Sequence, residues 1–279
     1  MLAQVIYSDI PRSQVICSSM AAGIRACGDE AQEIREEFYN GPTAHVAVFY
    51  GLRGNCRQAF NDYRNSGRRA VYIDLGYWGR TDGGKLSGYH KIAVNGRHPT
   101  AYFQKKQHKE DRFRRFGLSV KPWQKEGKYV LLAGMGAKAA DFEGFATHEW
   151  ELDAVAKIRQ FTQRPIIYRP KPSWRNPEPI DGTFFSPRTQ PLQDVLRVCH
   201  CVVSHHSNVC IDALLEGVPS FCVQGVAVPM SLQDIVRIED PVYPAGREQW
   251  AADIAYTQWR PDEMRQGLAW QYLKGEGLV

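Results

Sequence analysis

The sequence lacks several patterns that would place it in a familiar class. No run of 18 or more apolar residues occurs, so a membrane span is not expected. The first residues, MLAQVIYSDIPRSQ, lack the basic start and apolar core of a secretory signal. The CxxC and HExxH patterns of zinc sites, the GxSxG of serine hydrolases, the P-loop and internal repeats are also missing. We therefore expect a cytoplasmic α/β or similar globular protein without a metal site.

Cysteine and charge are present in informative places. Several of the seven cysteines lie in apolar strand-like runs, which is typical of reduced, buried thiols. The net charge is only +5, but residues 104–128 hold nine lysines and arginines against three acidic residues, with aromatics between them. Such a segment is suited to contact a nucleic acid, and the alternative is a solvated connector between domains. Its candidate contact residues are Lys105, Lys106, Arg112, Arg114 and Arg115.

Strand and helix patterns alternate on both sides of this basic segment. The first half predicts strands at residues 3–7, 45–50, 69–74 and 90–95, and the second at 129–133, 165–168, 201–203 and 220–223. Strands separated by single helices predict parallel sheets. The fold class is therefore α/β, with two Rossmann-like doubly wound domains facing a cleft and divided near residues 120 and 260. One long helix, residues 148–162, places its apolar residues at Trp150, Leu152, Val155, Ile158 and Phe161.

The segment VVSHHSNVCIDALLEGVPSF, residues 202–221, is the most informative motif. It predicts a buried strand, a polar turn at residues 204–208 and a helix at 209–216 that Gly217 ends. A helix N-terminus with hydroxyl and imidazole side chains suits an anion such as phosphate. The alternative is a turn in which Ser207 or Asn208 caps the helix for stability alone.

Two further loops in the second half follow predicted strands. Ligands of open α/β sheets bind beyond the carboxyl ends of the strands, so the residues of all three loops should converge. Together they suit a diphosphate or a nucleotide monophosphate, with Asp212 one helical turn away to reach a sugar hydroxyl. The candidates are Gly134, Gly136 and Lys138 in one loop, Arg169 and Lys171 in another, and Ser204, His205, His206, Ser207 and Asn208 in the third.

Polar residues also follow the predicted strands of the first half. Asp74 ends a strand, and a carboxylate there is a candidate general base, although a loop cap or a partner of Arg80 explains it equally. Asp82 and His90 are further catalytic candidates. Acceptor-side candidates are Arg53, Trp78 and Arg80. A zinc site at Cys199-His200-Cys201 with His205-His206 is disfavoured, because the cysteines lie in or beside a strand entering a core.

The motif SNVCIDALLEGVPSF resembles a segment of nucleotide-sugar glycosyltransferases of the GT-B architecture. The tail IAYTQWRPDEMRQGLAW is similar to the C-termini of capsule-type sugar transferases and their phage-encoded relatives. The resemblance implies a C-terminal helix, residues 261–279, that returns to the first domain, and a nucleotide sugar, UDP-linked above all, as co-substrate without a further cofactor. It puts the donor phosphates near Lys138, Arg169, Lys171, Ser204, Ser207 and Asn208, and the ribose or sugar near Asp212. RPKP departs from the Lys-Pro-His of some capsule enzymes.

These observations predict transfer of a sugar from a nucleotide sugar to an acceptor hydroxyl. Lysine and arginine would stabilise the leaving phosphate, so the reaction does not require a metal. The basic segment favours DNA as the partner and a 5-hydroxymethylpyrimidine base as the acceptor, as in phage DNA glycosylation in the host cytoplasm. The alternatives are a cytosolic capsule or surface-glycan transferase, and a non-catalytic nucleic-acid-binding protein on a degenerate transferase scaffold.

Overall fold

The computed structural model describes residues 1–103, 106–174 and 177–279, and the chain divides into two compact units. The first unit comprises Met1–Lys106 and Asp253–Val279, and the second comprises Gln107–Ala252. The sequence sets its boundaries at residues 120 and 260 instead. The return of the chain to the first unit precedes Pro261, because a strand at residues 258–259 already belongs to the first sheet.

The elements alternate along most of the chain. The strands are β1 (Leu2–Tyr7), β2 (Glu30–Arg35), β3 (Val46–Tyr50), β4 (Arg69–Leu75), β5 (His90–Val94), β6 (Tyr129–Ala133), β7 (Ile166–Arg169), β8 (Thr183–Phe185), β9 (Cys199–Ser204), β10 (Ser220–Cys222) and β11 (Gln258–Trp259). The helices are α1 (Pro11–Ala26), α2 (Gly54–Asn65), α3 (Thr100–Phe103), α4 (Asp111–Arg114), α5 (Ala137–Glu143), α6 (Glu149–Phe161), α7 (Leu192–Leu196), α8 (Val209–Glu216), α9 (Arg247–Ala255), α10 (Pro261–Arg265) and α11 (Leu268–Gly275).

The first sheet has the order β11-β5-β4-β3-β1-β2 and is mixed. Strands β2, β1, β3 and β4 are parallel, whereas β5 and β11 run antiparallel to their neighbours. These last two strands depart from the expectation of a parallel sheet. The chain between β4 and β5, residues 76–89, forms turns instead of a crossover helix, so β5 returns in the opposite direction.

Helices cover both faces of the first sheet. One core packs α1, α10 and α11 on the side chains of Val5, Val48 and Ile73, and the other packs α2 on Phe49 and Tyr72. The C-terminal helices thus return to the first unit, where they contact α1.

Close packing of α1 against the end of α10 depends on one glycine. A Cβ atom on Gly23 would lie 1.9 Å from the main-chain oxygen of Met264. A larger residue at this position would therefore force the two helices apart.

The second sheet has the order β10-β9-β6-β7-β8 and is parallel throughout these strands. Its central strands are almost fully buried, as expected for a parallel sheet that lies between helices. Helix α8 ends at Glu216, and Gly217 follows with a φ of +82°. A Cβ atom there would lie 2.0 Å from the oxygen of Pro122, so both conformation and space require glycine.

Several elements were not expected from the sequence. The edge strands β2 and β8 and the helix α5 carry no long apolar run. In α6 the buried residues are Glu151, Ala154 and Ile158, whereas Leu152 and Phe161 are 53% and 39% exposed. The expected apolar face of this helix is therefore wrong at Leu152 and Phe161.

Candidate functional site

Three loops of the second unit emerge at one edge of its sheet. Strands β9, β6 and β7 are adjacent and parallel, so the residues that follow them lie side by side. From β6 the chain continues to β7 and β8 on one side of the sheet, whereas β9 and β10 lie on the other side of β6. The strand order therefore reverses between β6 and β9. Ligands of open α/β sheets bind at such a switch point. The three loops thus lie at one edge of this sheet.

The loop after β6 is held by hydrogen bonds to β7 and to α6. Gly134 N donates to the oxygen of Arg169 at 2.9 Å, and Met135 N donates to Glu151 Oε1 at 2.6 Å. A Cβ atom on Gly134 would lie 2.9 Å from Tyr168 Cε2, and one on Gly136 would lie 2.7 Å from Lys171 Cδ. In this structure the two glycines therefore make room for side chains of β7 and its loop.

The cations of these loops differ in their surroundings. The side chains of Lys138 and Lys171 are exposed. Arg169 instead donates to Ser186 Oγ and to the oxygen of Gln190, both at 2.9 Å, and burial lowers its pKa. Arg169 thus shapes the loop at residues 186–190.

In the turn after β9, the serine hydroxyls bond within the turn itself. Ser204 is buried, and its Oγ accepts a hydrogen bond from Ser207 N at 3.1 Å. The hydroxyl of Ser207 accepts from Val209 N at 3.3 Å. The N-cap residue of α8 is Asn208, whose side chain makes no capping hydrogen bond. Asn208 and Asp212 are half-buried. Ser207 therefore supports the start of α8 from the position before the N-cap, while the turn still lies at the switch point.

His205 packs in an aromatic setting beside the same turn. Its ring meets Phe145 and Trp150 edge-on, each at 5.8 Å between centroids, and it is 5% exposed. The Nδ1 atoms of His205 and His206 lie 2.8 Å apart, so one of them donates to the other. This pairing orients His206, the more exposed of the two rings.

Four residues near the Gly134–Met135–Gly136 loop were missed by sequence reasoning. Glu151 is 3% exposed and lies in the first turn of α6. The hydroxyl of the fully buried Tyr168 has no partner among the described residues, and burial, with the charge of Glu151, raises its pKa. His148 stacks on Trp174 at 5.1 Å. For Glu151 the sequence did hold a signal, because it lies on the same face of the helix as the apolar residues Ala154 and Ile158.

In the first unit, Asp74 lies at the end of β4. Tyr72 donates its hydroxyl to Asp74 Oδ2 at 2.6 Å, and Leu75 N donates to Oδ1 at 2.8 Å. Lys91 is the cross-strand partner of Asp74 on β5, and its ammonium lies 5.6 Å from the ring centroids of Tyr72 and Tyr77. The carboxylate is thus oriented from two sides by hydrogen-bond donors.

His90 lies at the start of β5 and is fully buried. Its Nδ1 lies 2.8 Å from the oxygen of Gly88, so Nδ1 carries the proton and Nε2 the lone pair. Nε2 is buried and has no hydrogen-bond partner among the described residues. Burial lowers the pKa of His90 to about 4, although the hydrogen bond to Gly88 opposes this. His90 is therefore a neutral, shielded base near Tyr50.

The other candidates of the first unit have varied settings. Arg80 donates to the oxygens of Gly76 and Tyr77 and so stabilises the loop after β4, rather than pairing with Asp74. Trp78 is buried. Arg53 is exposed at the N-terminus of α2, and Asp82 is exposed in a turn that begins at Gly79.

The basic segment is partly neutralised by acidic residues within it and by Glu276. Arg114 pairs with Glu110 at 2.9 Å, Arg115 lies 4.0 Å from Asp111, and Arg112 is buried. Lys106 pairs with Glu276, and Lys105 lies outside the described residues. The segment therefore presents less positive charge than its sequence suggests.

Residues 1–103, 106–174 and 177–279 contain no group of three or more histidine, cysteine or acidic residues placed to hold a metal ion. His200, a candidate ligand in the zinc interpretation, instead contacts the oxygen of Ile238 at 2.7 Å. Across the same ranges, no helix is long and apolar enough to cross a bilayer.

Comparison with known proteins shows the fold. No family model matches the chain, and no curated protein matches it. Among solved structures, the β-Kdo 2,4-transferase of KpsC from Thermosulfurimonas dismutans matches with a TM-score of 0.53 and 12% identity over 92% of this chain and 91% of that one. The β-Kdo 2,7-transferase of the same protein gives 0.49 and 10% over 96% and 99%. The first of these matches, with its TM-score of 0.53, shows that the chain has the two-domain α/β fold of GT-B glycosyltransferases.

Proposed function

We propose that this protein is a glycosyltransferase that moves a sugar from a nucleotide-sugar donor to an acceptor hydroxyl. The observation that carries the proposal is the convergence of the three loops at the switch point of the second sheet. Lys171 in one of these loops, Lys138 in the first turn of α5 and the start of α8 lie at this edge. The GT-B fold supports the same assignment.

The donor's phosphate groups are the part that this edge suits best. Breaking the bond between sugar and phosphate leaves negative charge on the phosphate oxygens. Lys171 and Lys138 would stabilise that charge, together with the dipole of α8, whose N-terminus follows the turn after β9. Asp212, one turn into α8, is the candidate for a ribose or sugar hydroxyl. The loop at residues 186–190, which Arg169 holds, would form a wall of the site.

Asp74 is the proposed general base. Its two carboxylate oxygens accept hydrogen bonds from Tyr72 and from Leu75 N, which leaves their remaining lone pairs for an acceptor hydroxyl. Removing the hydroxyl proton makes the oxygen a better nucleophile toward the anomeric carbon. Asp82, which is exposed, and His90, which is buried, are the alternative bases.

A glycan hydroxyl is the acceptor that we favour over a hydroxymethylated base in phage DNA. The DNA hypothesis depends on the basic segment, where ion pairs with Glu110, Asp111 and Glu276 reduce the charge available to phosphates. The matching solved structure is named a β-Kdo 2,4-transferase, and the preference for a glycan acceptor agrees with that name. UDP is the first nucleotide to test, followed by CMP, GDP and TDP.

The experiment combines a donor screen with two acceptors. The protein is mixed with UDP-, CMP-, GDP- or TDP-linked sugars and with either oligosaccharides or duplex DNA containing 5-hydroxymethylpyrimidines. Mass spectrometry then detects a mass gain on either acceptor. A gain on the oligosaccharide supports the proposal, and a gain on DNA alone replaces the glycan acceptor by DNA. If no donor gives transfer and no donor raises the melting temperature, the proposed enzyme activity is refuted. That result favours the non-catalytic alternative.

A further inference from the structure

The turn that carries Lys171 is closed by Trp174. The main-chain N of Trp174 donates to the oxygen of Lys171 at 3.0 Å, which forms a tight turn directly after β7. The side chain of Lys171 is exposed, while Trp174 is half-buried. A lysine on an exposed turn has many conformations, so its position depends on what anchors the turn.

The indole of Trp174 ties this turn to the neighbouring loop. Its Nε1 donates to the oxygen of Met135 at 2.8 Å, and Met135 N donates to the buried Glu151 at 2.6 Å. Residue Met135 is thus held through its N–H by α6 and through its oxygen by the Lys171 turn. Because both bonds converge on one residue, the two loops are expected to move together.

The ring of Trp174 is supported from its other side by His148. The two rings are stacked, with centroids 5.1 Å apart and an interplanar angle of 19°. His148 has a φ of +61°, a conformation that is uncommon for a residue other than glycine. Such backbone conformations persist only where the surrounding structure holds them in place.

Lys171 and Gly136 form a second contact between the loops after β7 and β6. The Lys171 side chain crosses directly over the α-carbon of Gly136, where a Cβ atom would lie 2.7 Å from Lys171 Cδ. The loop that Trp174 anchors therefore also sets the path of the lysine side chain.

We propose that Trp174 is a positioning residue for the donor phosphates: by bonding Met135, it holds Lys171 over Gly136. Trp174 itself does not touch the donor in this account. The inference rests on the proposed function, because it assigns Lys171 to the donor. Its energetic signature is specific: loss of the indole N–H weakens donor binding only while Lys171 is present.

The test is a double-mutant cycle on binding. UDP, CMP, GDP and TDP are titrated calorimetrically into the full chain and into Trp174→Phe, Lys171→Ala and the double variant. Phe keeps an aromatic ring for His148 and loses the N–H donor. We expect Trp174→Phe to weaken nucleotide binding about threefold to tenfold, with almost no further loss in the Lys171→Ala background.

A second variant displaces the Lys171 side chain without changing Trp174. Gly136→Ala displaces a flexible side chain rather than backbone, so the fold is expected to tolerate it. It too should weaken nucleotide binding only while Lys171 is present. Trp123→Phe is the matched control, because Trp123 packs on Tyr243 and Arg247 away from these loops and should leave the affinity unchanged.

The outcomes separate this inference from the function on which it rests. Binding by the wild type with non-additive losses supports the positioning role. Binding by the wild type with equal losses in both backgrounds, or with no loss, overturns the positioning role and leaves the function intact. Failure of the wild type to bind any of the four nucleotides overturns the proposed function itself.

Discussion

Tyr72 and Asp74, two residues apart on β4, form a 2.6 Å hydrogen bond in which the tyrosine hydroxyl donates to the carboxylate. Burial, together with the neighbouring charge of Asp74, raises the pKa of Tyr72, so the phenol keeps its proton. Side chains at i and i+2 share one face of a strand, which explains how such short spacing brings them together. Tyr72 is thus a permanent donor that orients the proposed base.

Replacing that base should reduce turnover without affecting the donor. For Asp74→Asn we expect kcat to fall about 10²- to 10⁴-fold, because the amide cannot accept the acceptor's proton. The Kd of the donor should stay unchanged. Glu30→Gln, at an exposed position on β2, is the control and should have wild-type activity. Full activity of Asp74→Asn would exclude Asp74 as the base.

Lys171→Ala should act on the donor instead. Loss of a charged hydrogen bond to phosphate is expected to weaken nucleotide binding about tenfold to one hundredfold. Lys157, an exposed lysine on α6, provides the matched control, since Lys157→Ala removes the same charge away from the loops. Equal losses in the two variants, measured by calorimetry, would mean that only the net charge matters.

The packing of α10 on α1 allows a test of the fold. Gly23→Ala would bring a Cβ atom to 1.9 Å from the oxygen of Met264, and backbone must shift to relieve that contact. We expect a loss of about 1–3 kcal/mol in the free energy of unfolding, measured with urea. Gly275 is also helical and has open space around it, so Gly275→Ala should leave the stability unchanged or raise it slightly. Similar curves for both variants would contradict the described contact.

His90 should make stability depend on pH. Burial lowers its pKa to about 4, against about 6.5 in the unfolded chain. Between these values the unfolded state takes up a proton that the folded state does not, so stability falls as the pH falls from about 6.5 to about 4. The contribution is at most about 3 kcal/mol.

His90→Gln removes this titration, so the difference in unfolding free energy between variant and wild type should change over that range. Arg12, Tyr50 and Asp74 are present in both proteins and cancel in the difference. Parallel stability curves for the two proteins between pH 4 and 6.5 would contradict a buried, neutral His90.

Sequence patterns predicted the second unit well where a buried strand meets a turn and an amphipathic helix. Helix α8 and its stop at Gly217 follow the expected bounds, because the apolar spacing and the left-handed glycine are local signals. The edge strand β2 was missed, since EAQEIR is mostly exposed and carries no apolar run. The strand β5 lies within the expected residues 90–95, but its antiparallel direction was not expected, because that direction depends on the absence of a crossover helix.

The candidate site was predictable only at the level of loops. Strand ends identified where Lys171 and Ser204 would lie, but not that Ser204 is buried and bonds within its own turn. Glu151 was not predicted, because a carboxylate on a helix is normally solvated, whereas this one accepts a hydrogen bond from Met135 N. Trp174 was not predicted, because its hydrogen bond to Met135 joins loops that are far apart in sequence.

Hydrogen exchange with and without nucleotide tests the central claim most directly. The protein is exchanged alone and with saturating UDP, CMP, GDP or TDP, and amide protection is located by peptide mass spectrometry. The account predicts that a binding nucleotide protects residues 134–138, 171–174 and 205–209 together, since these loops lie at one edge of the second sheet. Protection confined to other segments, or none with any of the four nucleotides, would contradict it.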